Sequence, residues 1–367
     1  MRQPSIKDVA ARCGVSFQTV SKVLNGGGSV APSTRESIQR AAGELGYLPD
    51  ASARGLVTQR TRLLGVVVGD LADEIVTRFV VAAEREAARQ GYALAVVSLD
   101  HAEAERGAEG FSQAEGEVDR DEHGVHERSL RALRERRVDG ILLAAPQLER
   151  DARLGALLTD GPPVVGLHTV VGTVATLVGS DHEEVGALAT RHLVEHGHRR
   201  IGVVAGPSSR RVSHARMRGH RAVMEAAGLD SPAALVETGD WSPESGFAAT
   251  HRLLAREPHV SAVVVHSDLM AVGALHAAHQ LGRHGPDRLA VVGVDDIPVA
   301  AHTVPPLTTV RVPFDKTGQV AASCLIDLVE GRSVPSRQIV PVSLAVRASC
   351  GCREPDPEDP HAVPTAR

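Results

Sequence analysis

Gln18 and Lys22 stand one helical turn apart, with Phe17 and Ser21 beside them at the same spacing. Ser16, immediately upstream, is a good helix-capping residue, and in a helix starting there these four side chains project together. Glutamine can bond adenine at two atoms, and lysine can donate to guanine acceptors, so such a face suits base edges in the major groove of double-stranded DNA. Thr19, Asn25 and Thr34 are short and polar, fit to hold phosphates. The same pattern also suits a plain three-helix bundle with a polar second helix.

The elements that must carry these residues are three short helices within the first 46 residues. Ser5 opens the first, in which Ile6, Val9 and Ala10 follow helical spacing, and Gly14 supplies the tight turn after Cys13. The second runs from Phe17 to Leu24. Asn25 and three glycines end it, and Pro32 suits the first turn of a third helix reaching about Leu45. Val9, Ala10, Val15, Val20 and Val23 are the predicted small core of the unit. A break at Gly46–Pro49 precedes a further short helix from Asp50 to Val57 and a polar linker to Arg62.

Charge separates this head from the rest. Residues 1–62 carry nine Lys or Arg and four Asp or Glu, a net of +5 in a chain of −5, so the remainder carries −10. A basic module on an acidic body is the electrostatic footprint of nucleic-acid binding.

From Leu63 the rhythm becomes strand and helix in alternation. Apolar, β-branched runs occur at Leu63–Val68, Ala93–Ser98, Gly140–Ala144, Val164–Gly166, Ile201–Val204, Ala262–Val265 and Leu289–Val292. They do not alternate in polarity, as expected of strands buried on both faces of parallel sheets. About 285 residues suffice for two such lobes. Eight aromatics in 367 residues leave Val, Leu, Ile and Ala to fill the cores. Residues 100–128 break the rhythm with ten acids, three arginines and scattered glycines, and read as a solvated insertion. The proline-rich end, 351–367, reads as a disordered tail.

Several classes are disfavoured. Four cysteines in this length make no disulfide framework, and Cys350 with Cys352 lacks further ligands for a metal. His192, His196 and His198 fit a helix end better than a metal site. The chain has no opening signal peptide and no apolar run near the ~20 residues of a membrane span, which predicts a soluble, cytoplasmic protein without membrane contact. No GxGxxG follows the first strand, and no Walker A, Gly-x-Ser-x-Gly or HExxH motif occurs, so no enzyme, catalytic residue or cofactor is expected.

The run from Asp8 to Asn25, with Thr34-Arg35-Glu36, Glu44-Leu45-Gly46-Tyr47, Pro49 and Ala53-Arg54-Gly55-Leu56, resembles the LacI/GalR (lactose/galactose repressor) family of bacterial transcription regulators. In the body, Leu193–Ile201, Ser267–Gly273, Val292–Asp296 and Pro305–Val310 resemble it too. The resemblance implies an all-α helix-turn-helix head plus an α/β body of two Rossmann-like parallel-sheet lobes of periplasmic-binding-protein type. The expected boundaries are 1–49 for the head, 50–62 for a hinge helix and linker, and 63–350 for the body. Within the body, the N-lobe would take about 63–178 and 310–335, and the C-lobe 179–309 and 336–350.

The family's functional residues carry over position by position. Leu56 matches a leucine that wedges into the minor groove, with Ala53 packed beside it, which implies a near-palindromic operator read by a homodimer. Arg216 matches an arginine that grips the effector, Asp295 a carboxylate that accepts from its hydroxyls, and Trp241 an aromatic laid against its ring. Ser267 stands where the family often has an amide or acid, and Asp70, after the first strand, would face the cleft. Together they imply a small effector, sugar or sugar derivative, bound between the lobes. Taken alone, Asp295 could cap a loop, Arg216 could be a surface residue and Trp241 could be core. Asp50 replaces the family's usual Asn, and Ala31 its usual Ser. Asp73-Glu74-Ile75-Val76 replaces an Asn-Pro loop with two aromatics. A solute-binding protein of a sugar transport system shares the body fold and is the alternative.

Overall fold

A computed structural model of the chain describes residues 4–24, 29–47, 60–99, 118–145, 158, 161–167, 176–283 and 288–351, with side chains in 118–135 described from residue 127. The head has three helices, α1 (Ile6–Cys13), α2 (Phe17–Leu24) and α3 (Pro32–Leu45). Asp8 in the first turn of α1 accepts from the Ser5 N–H and hydroxyl, both at 2.7 Å. Gly14 ends α1 with φ 65°, a conformation costly for other residues. Ser16 Oγ accepts from the Thr19 N–H at 3.1 Å, the capping bond expected there. Ala31 offers α3 no capping side chain, and Pro32 takes its first turn instead. Val9, Ala10, Val20, Val23, Ile38, Ala41 and Ala42 form the buried core, with Val15 partly buried beside them.

The first lobe contains β1 (Leu63–Val68), α4 (Glu74–Arg89), β2 (Ala93–Ser98), α5 (Val118–Glu135), β3 (Gly140–Ala144), β4 (Val164–Leu167) and β5 (Thr176–Gly179). The second has α6 (His182–Glu195), β6 (Ile201–Ala205), α7 (Arg211–Ala226), β7 (Val236–Thr238), α8 (Pro243–Arg256), β8 (Ala262–Val265), α9 (Asp268–Gln280), β9 (Ala290–Asp295) and β10 (Thr308–Arg311). The chain then returns through α10 (Phe314–Val329) and β11 (Arg337–Ile339) to β12 (Ser343–Ala345).

Two six-stranded sheets result, ordered β11-β5-β4-β3-β1-β2 and β12-β10-β9-β8-β6-β7. Every pairing is parallel except β10 with β12. Successive side chains leave a strand on opposite faces. Leu64, Val66 and Val68 therefore meet Phe79 and Ala83 of α4 and Leu325 of α10, while Val67 packs with Leu133 of α5 and Leu143. In the second lobe Val263 and Val265 pack with α8 and α9, and Val264 with Val185 and Leu193 of α6.

Two boundaries differ from the sequence reading. Residues 310–311 pair in the second sheet and 337–339 in the first, so the return segment placed at 310–335 shifts along the chain. The segment read as an insertion through 128 enters helix α5 at Val118. The hinge-helix residues 50–59 and all of the tail but Gly351 lie outside the described residues.

Candidate functional site

On the head, Phe17 is 53% exposed although it is a large apolar side chain, and Gln18 and Lys22 are exposed beside it. Ser21 and Thr34 are half-buried. The Thr19 hydroxyl sits 2.9 Å from Ser16 Oγ, so its first role is within the turn. Asn25, Ala53 and Leu56 lie outside the described residues.

Between the lobes lies a cleft of about 380 Å³, at the carboxyl ends of the parallel strands. Its first-lobe wall is Ile75, Val76, Phe79, Leu167 and Phe314, with Asp73 and Glu74 at the start of α4. Arg216, Trp241, Ser267 and Asp295 all line it. Asp70 does not: its carboxylate accepts from the Ala72 N–H at 2.7 Å, and this local turn keeps it exposed beside the cleft. The expectation that Asp70 faces the cleft is corrected accordingly, and Asp73 and Glu74 supply the acid there.

Arg216 is held by close helix packing. A Cβ on Gly186 of α6 would fall 1.9 Å from the Arg216 carbonyl, and one on Gly219 of α7 would fall 1.9 Å from that of Glu183. Only glycines let these backbones approach so closely. Arg216 is buried, its Nη1 donating to the His266 carbonyl and its Nε to His182 Nδ1 at 3.4 Å. Nη2 lies 3.5 Å from Asp295 Oδ1, at the outer edge of hydrogen bonding. Burial pulls the guanidinium below its usual value, and Asp295 and Asp268 oppose that pull.

Asp295 ends β9 with φ 112° and is followed by Asp296 at φ 55°, two non-glycine residues in the left-handed half of backbone space. Its buried Oδ1 has no hydrogen-bond partner among the described residues. Burial pushes its carboxyl up to about 7, with Asp73 adding to the rise and Arg216 opposing it. A buried acceptor beside a guanidinium is suited to a ligand hydroxyl, which can donate to one and accept from the other.

Trp241 lies with its ring 5.9 Å from Arg216 Cζ. It has φ 80°, fixed by the Asp240 carboxylate, which accepts from the Ser242 N–H at 2.9 Å and hydroxyl at 2.5 Å. Those bonds hold Asp240 down at about 2. The ring covers Gly206, where a Cβ would fall 2.0 Å from it. Ser267 caps α9, accepting from the Met270 N–H at 3.2 Å, and its own hydroxyl hydrogen remains to donate.

Comparison with known proteins decides what head and cleft belong to. The pattern of bacterial regulatory proteins of the lacI family matches residues 5–50, and that of the periplasmic binding protein-like domain matches residues 190–350. The chain is 38% identical to the HTH-type transcriptional regulator CelR of Thermobifida fusca over 354 residues, 95% of this chain and 98% of that one. It is 32% identical to the lactose operon repressor of Escherichia coli over 348 residues, 95% and 91% of the two chains. It belongs to the LacI family.

Two solved LacI-family structures match most of the chain. A lac repressor dimer bound to operator and the anti-inducer ONPF matches with TM-score 0.81 at 29% identity, covering 95% of this chain and 99% of that one. A CelR–cellobiose complex matches with TM-score 0.67 at 34% identity, covering 94% and 99%. This LacI-family protein is thus a DNA-binding transcription regulator, and the transport-protein alternative falls. Among the described residues no helix is long and apolar enough to cross a membrane.

The sequence reading missed polar residues in and behind this LacI-family cleft. His182 lines it from the start of α6, and Arg210 lines it just before α7. His266 sits behind Arg216, held well below its ordinary value by burial and by Arg216. Asp268, fully buried, accepts from the Ile297 N–H at 3.0 Å and the Thr309 hydroxyl at 2.6 Å. One signal was available for it: an acid follows Ser267 at the end of an all-apolar strand, where a charge is not expected without partners. The three histidines 192, 196 and 198 are engaged locally, His196 Nδ1 with the His192 carbonyl and His198 Nδ1 with Ser261 Oγ.

Proposed function

We propose that this regulator is a repressor that binds a near-palindromic operator as a homodimer and is switched by a carbohydrate held between its lobes. The carrying observation is the buried Arg216–Asp295 pair with Trp241 beside it on the floor of the cleft. Guanidinium and carboxylate serve vicinal hydroxyls, and an indole face suits the C–H side of a pyranose. The volume of the cleft is at the lower end for ligand sites and suits one or two sugar rings. Cellobiose is the first candidate, because a solved CelR structure is a cellobiose complex and CelR of Thermobifida fusca aligns over nearly the whole chain.

Phe17, Gln18, Ser21 and Lys22 read base edges, Thr19, Asn25 and Thr34 hold phosphates, and Leu56 with Ala53 wedges the minor groove. The domain limits of 1–49, 50–62 and 63–350 are part of this proposal. The ligand is bound and released unchanged, without catalysis, in the cytoplasm. Selection of genomic fragments by the purified chain, followed by calorimetry with cellobiose, lactose and ribose, tests the whole. A preferred palindrome and one sugar whose binding is lost in Arg216→Ala are expected. No preferred fragment, or a sugar bound equally by Arg216→Ala, overturns it.

A further inference from the structure

Asp268 is not among the residues that line the cleft, yet it governs the turn that carries Asp295. Its Oδ2 accepts from Ile297 N–H at 3.0 Å, two residues beyond Asp295. Its Oδ1 accepts from the Thr309 hydroxyl at 2.6 Å, and Thr309 Oγ1 in turn accepts from the Asp296 N–H at 3.4 Å. The two residues that follow Asp295, Asp296 at positive φ and Ile297, are thereby tied to one buried carboxyl. Room for it is reserved: a Cβ on Gly293, opposite Thr309 in the sheet, would fall 2.2 Å from Asp268 Oδ1. The Asp296 carboxylate is anchored on the other side by Arg311 at 2.6 Å and Arg347 at 2.7 Å.

A backbone this unfavourable persists only where its surroundings over-determine it. A buried carboxyl is itself expensive unless fully bonded, and both oxygens of Asp268 are. The expense is placed directly behind the cleft acceptor. We propose that Asp268 is a positioning residue for the effector: it never touches the bound molecule, and sets its affinity by fixing the turn that aims the Asp295 carboxylate. This rests on the carbohydrate reading of the cleft. Burial and nearby Asp295 hold the Asp268 carboxyl well above the ordinary range. Asn keeps both partners in an uncharged side chain of the same shape, its oxygen accepting from the Ile297 N–H and its NH2 donating to Thr309 Oγ1 once that hydroxyl turns away.

The test uses the full chain, cellobiose as probe and the fluorescence of Trp241, the single tryptophan. Asp268→Ala is expected to bind cellobiose at least about ten-fold more weakly, and Asp268→Asn within about three-fold of the parent, with operator affinity unchanged without sugar. A merely structural residue would lower the melting temperature and leave the Kd of the folded protein alone. Asp268→Ala within about two-fold of the parent, or Asp268→Asn as weak as Asp268→Ala, overturns the proposal. Should Asp268→Ala fail to fold, Thr309→Val removes both bonds of the Thr309 hydroxyl in a near-isosteric side chain. A loss of about three-fold or more is then expected, and none overturns the proposal.

If the parent binds no cellobiose, the sugar reading is what fails. The positioning claim is then read without ligand, from the pH inflection of Trp241 fluorescence that Asp295→Asn abolishes. Asp268→Ala should displace that inflection by about half a unit or more, and coincident curves overturn the claim.

Discussion

Arg216 and Asp295 face each other with Nη2 and Oδ1 3.5 Å apart, both buried at the carboxyl end of the second sheet. Neither satisfies the other completely. Arg216 leans on the His266 carbonyl and His182, and Asp295 Oδ1 has the guanidinium at 3.5 Å but no hydrogen-bond partner of normal length among the described residues. A pair left in this state is poor at stabilising the fold and well placed to receive polar groups from a ligand.

Removing one member should therefore cost both stability and binding. Above about pH 7, where Asp295 is ionised, Arg216→Ala leaves it buried without its cation, a change that typically costs about 3–5 kcal/mol. Urea unfolding of the second lobe should shift accordingly, and sugar binding should vanish in calorimetry. A variant as stable as the parent would mean that Arg216 is solvated rather than buried.

The acidity of Asp295 gives a pH dependence of definite sign. Its folded value, about 7, lies above its ordinary value of 3.8. The folded state thus holds this proton more tightly than the unfolded one. Its contribution is most favourable below pH 3.8, declines as pH rises, and is fully lost above about 7. The full effect is about 4 kcal/mol at most, from ~1.4 kcal/mol per unit. Comparing the parent with Asp295→Asn isolates it: the parent should lose stability relative to the variant between pH 5 and 8. A constant difference across that range would refute it.

Gly206 should be intolerant of even one methyl. The Trp241 ring fills the place of its Cβ. Gly206→Ala is expected to shift Trp241 emission and weaken sugar binding by about ten-fold or more, while the head still binds its operator. Unchanged emission and affinity would show that the ring is free to move.

On the head, Gln18→Ala and Lys22→Ala should lose sequence discrimination, about 1–3 kcal/mol for each base contact removed. Binding to unrelated DNA at low salt should persist. Ser16→Ala should act differently, lowering the stability of the head by about 1 kcal/mol through the lost cap on Thr19. If Gln18→Ala kept full operator preference, the base-reading face would be elsewhere.

Much of this architecture was legible in the residues because the physics is local. Short, β-branched, unbroken apolar runs such as Leu63–Val68 are expected of strands buried on both faces, and Ser5, Gly14 and Ser16 announce helix ends. The short strands β5, β7, β10, β11 and β12 were not legible. With three or four residues each, and with exposed positions in β7, β11 and β12, they owe their pairing to the rest of the sheet. The same holds within the cleft. The structure brings Arg216, Trp241, Ser267 and Asp295 to the cleft wall, but Asp268, Ile297 and Thr309 meet only because three separate segments converge. Asp70 was misplaced because a strand end was taken to point inward, whereas its side chain turns back on its own backbone.

The most direct measurement is the anisotropy of a labelled operator duplex, chosen from selected genomic fragments, titrated with the full chain at zero and saturating cellobiose. The expected result is an operator Kd changed by about ten-fold or more in the parent and unchanged in Arg216→Ala, since a sugar shifts DNA affinity only by its differential binding to two arrangements of the lobes. Sugar bound in the cleft with identical operator Kd in its presence and absence would contradict it.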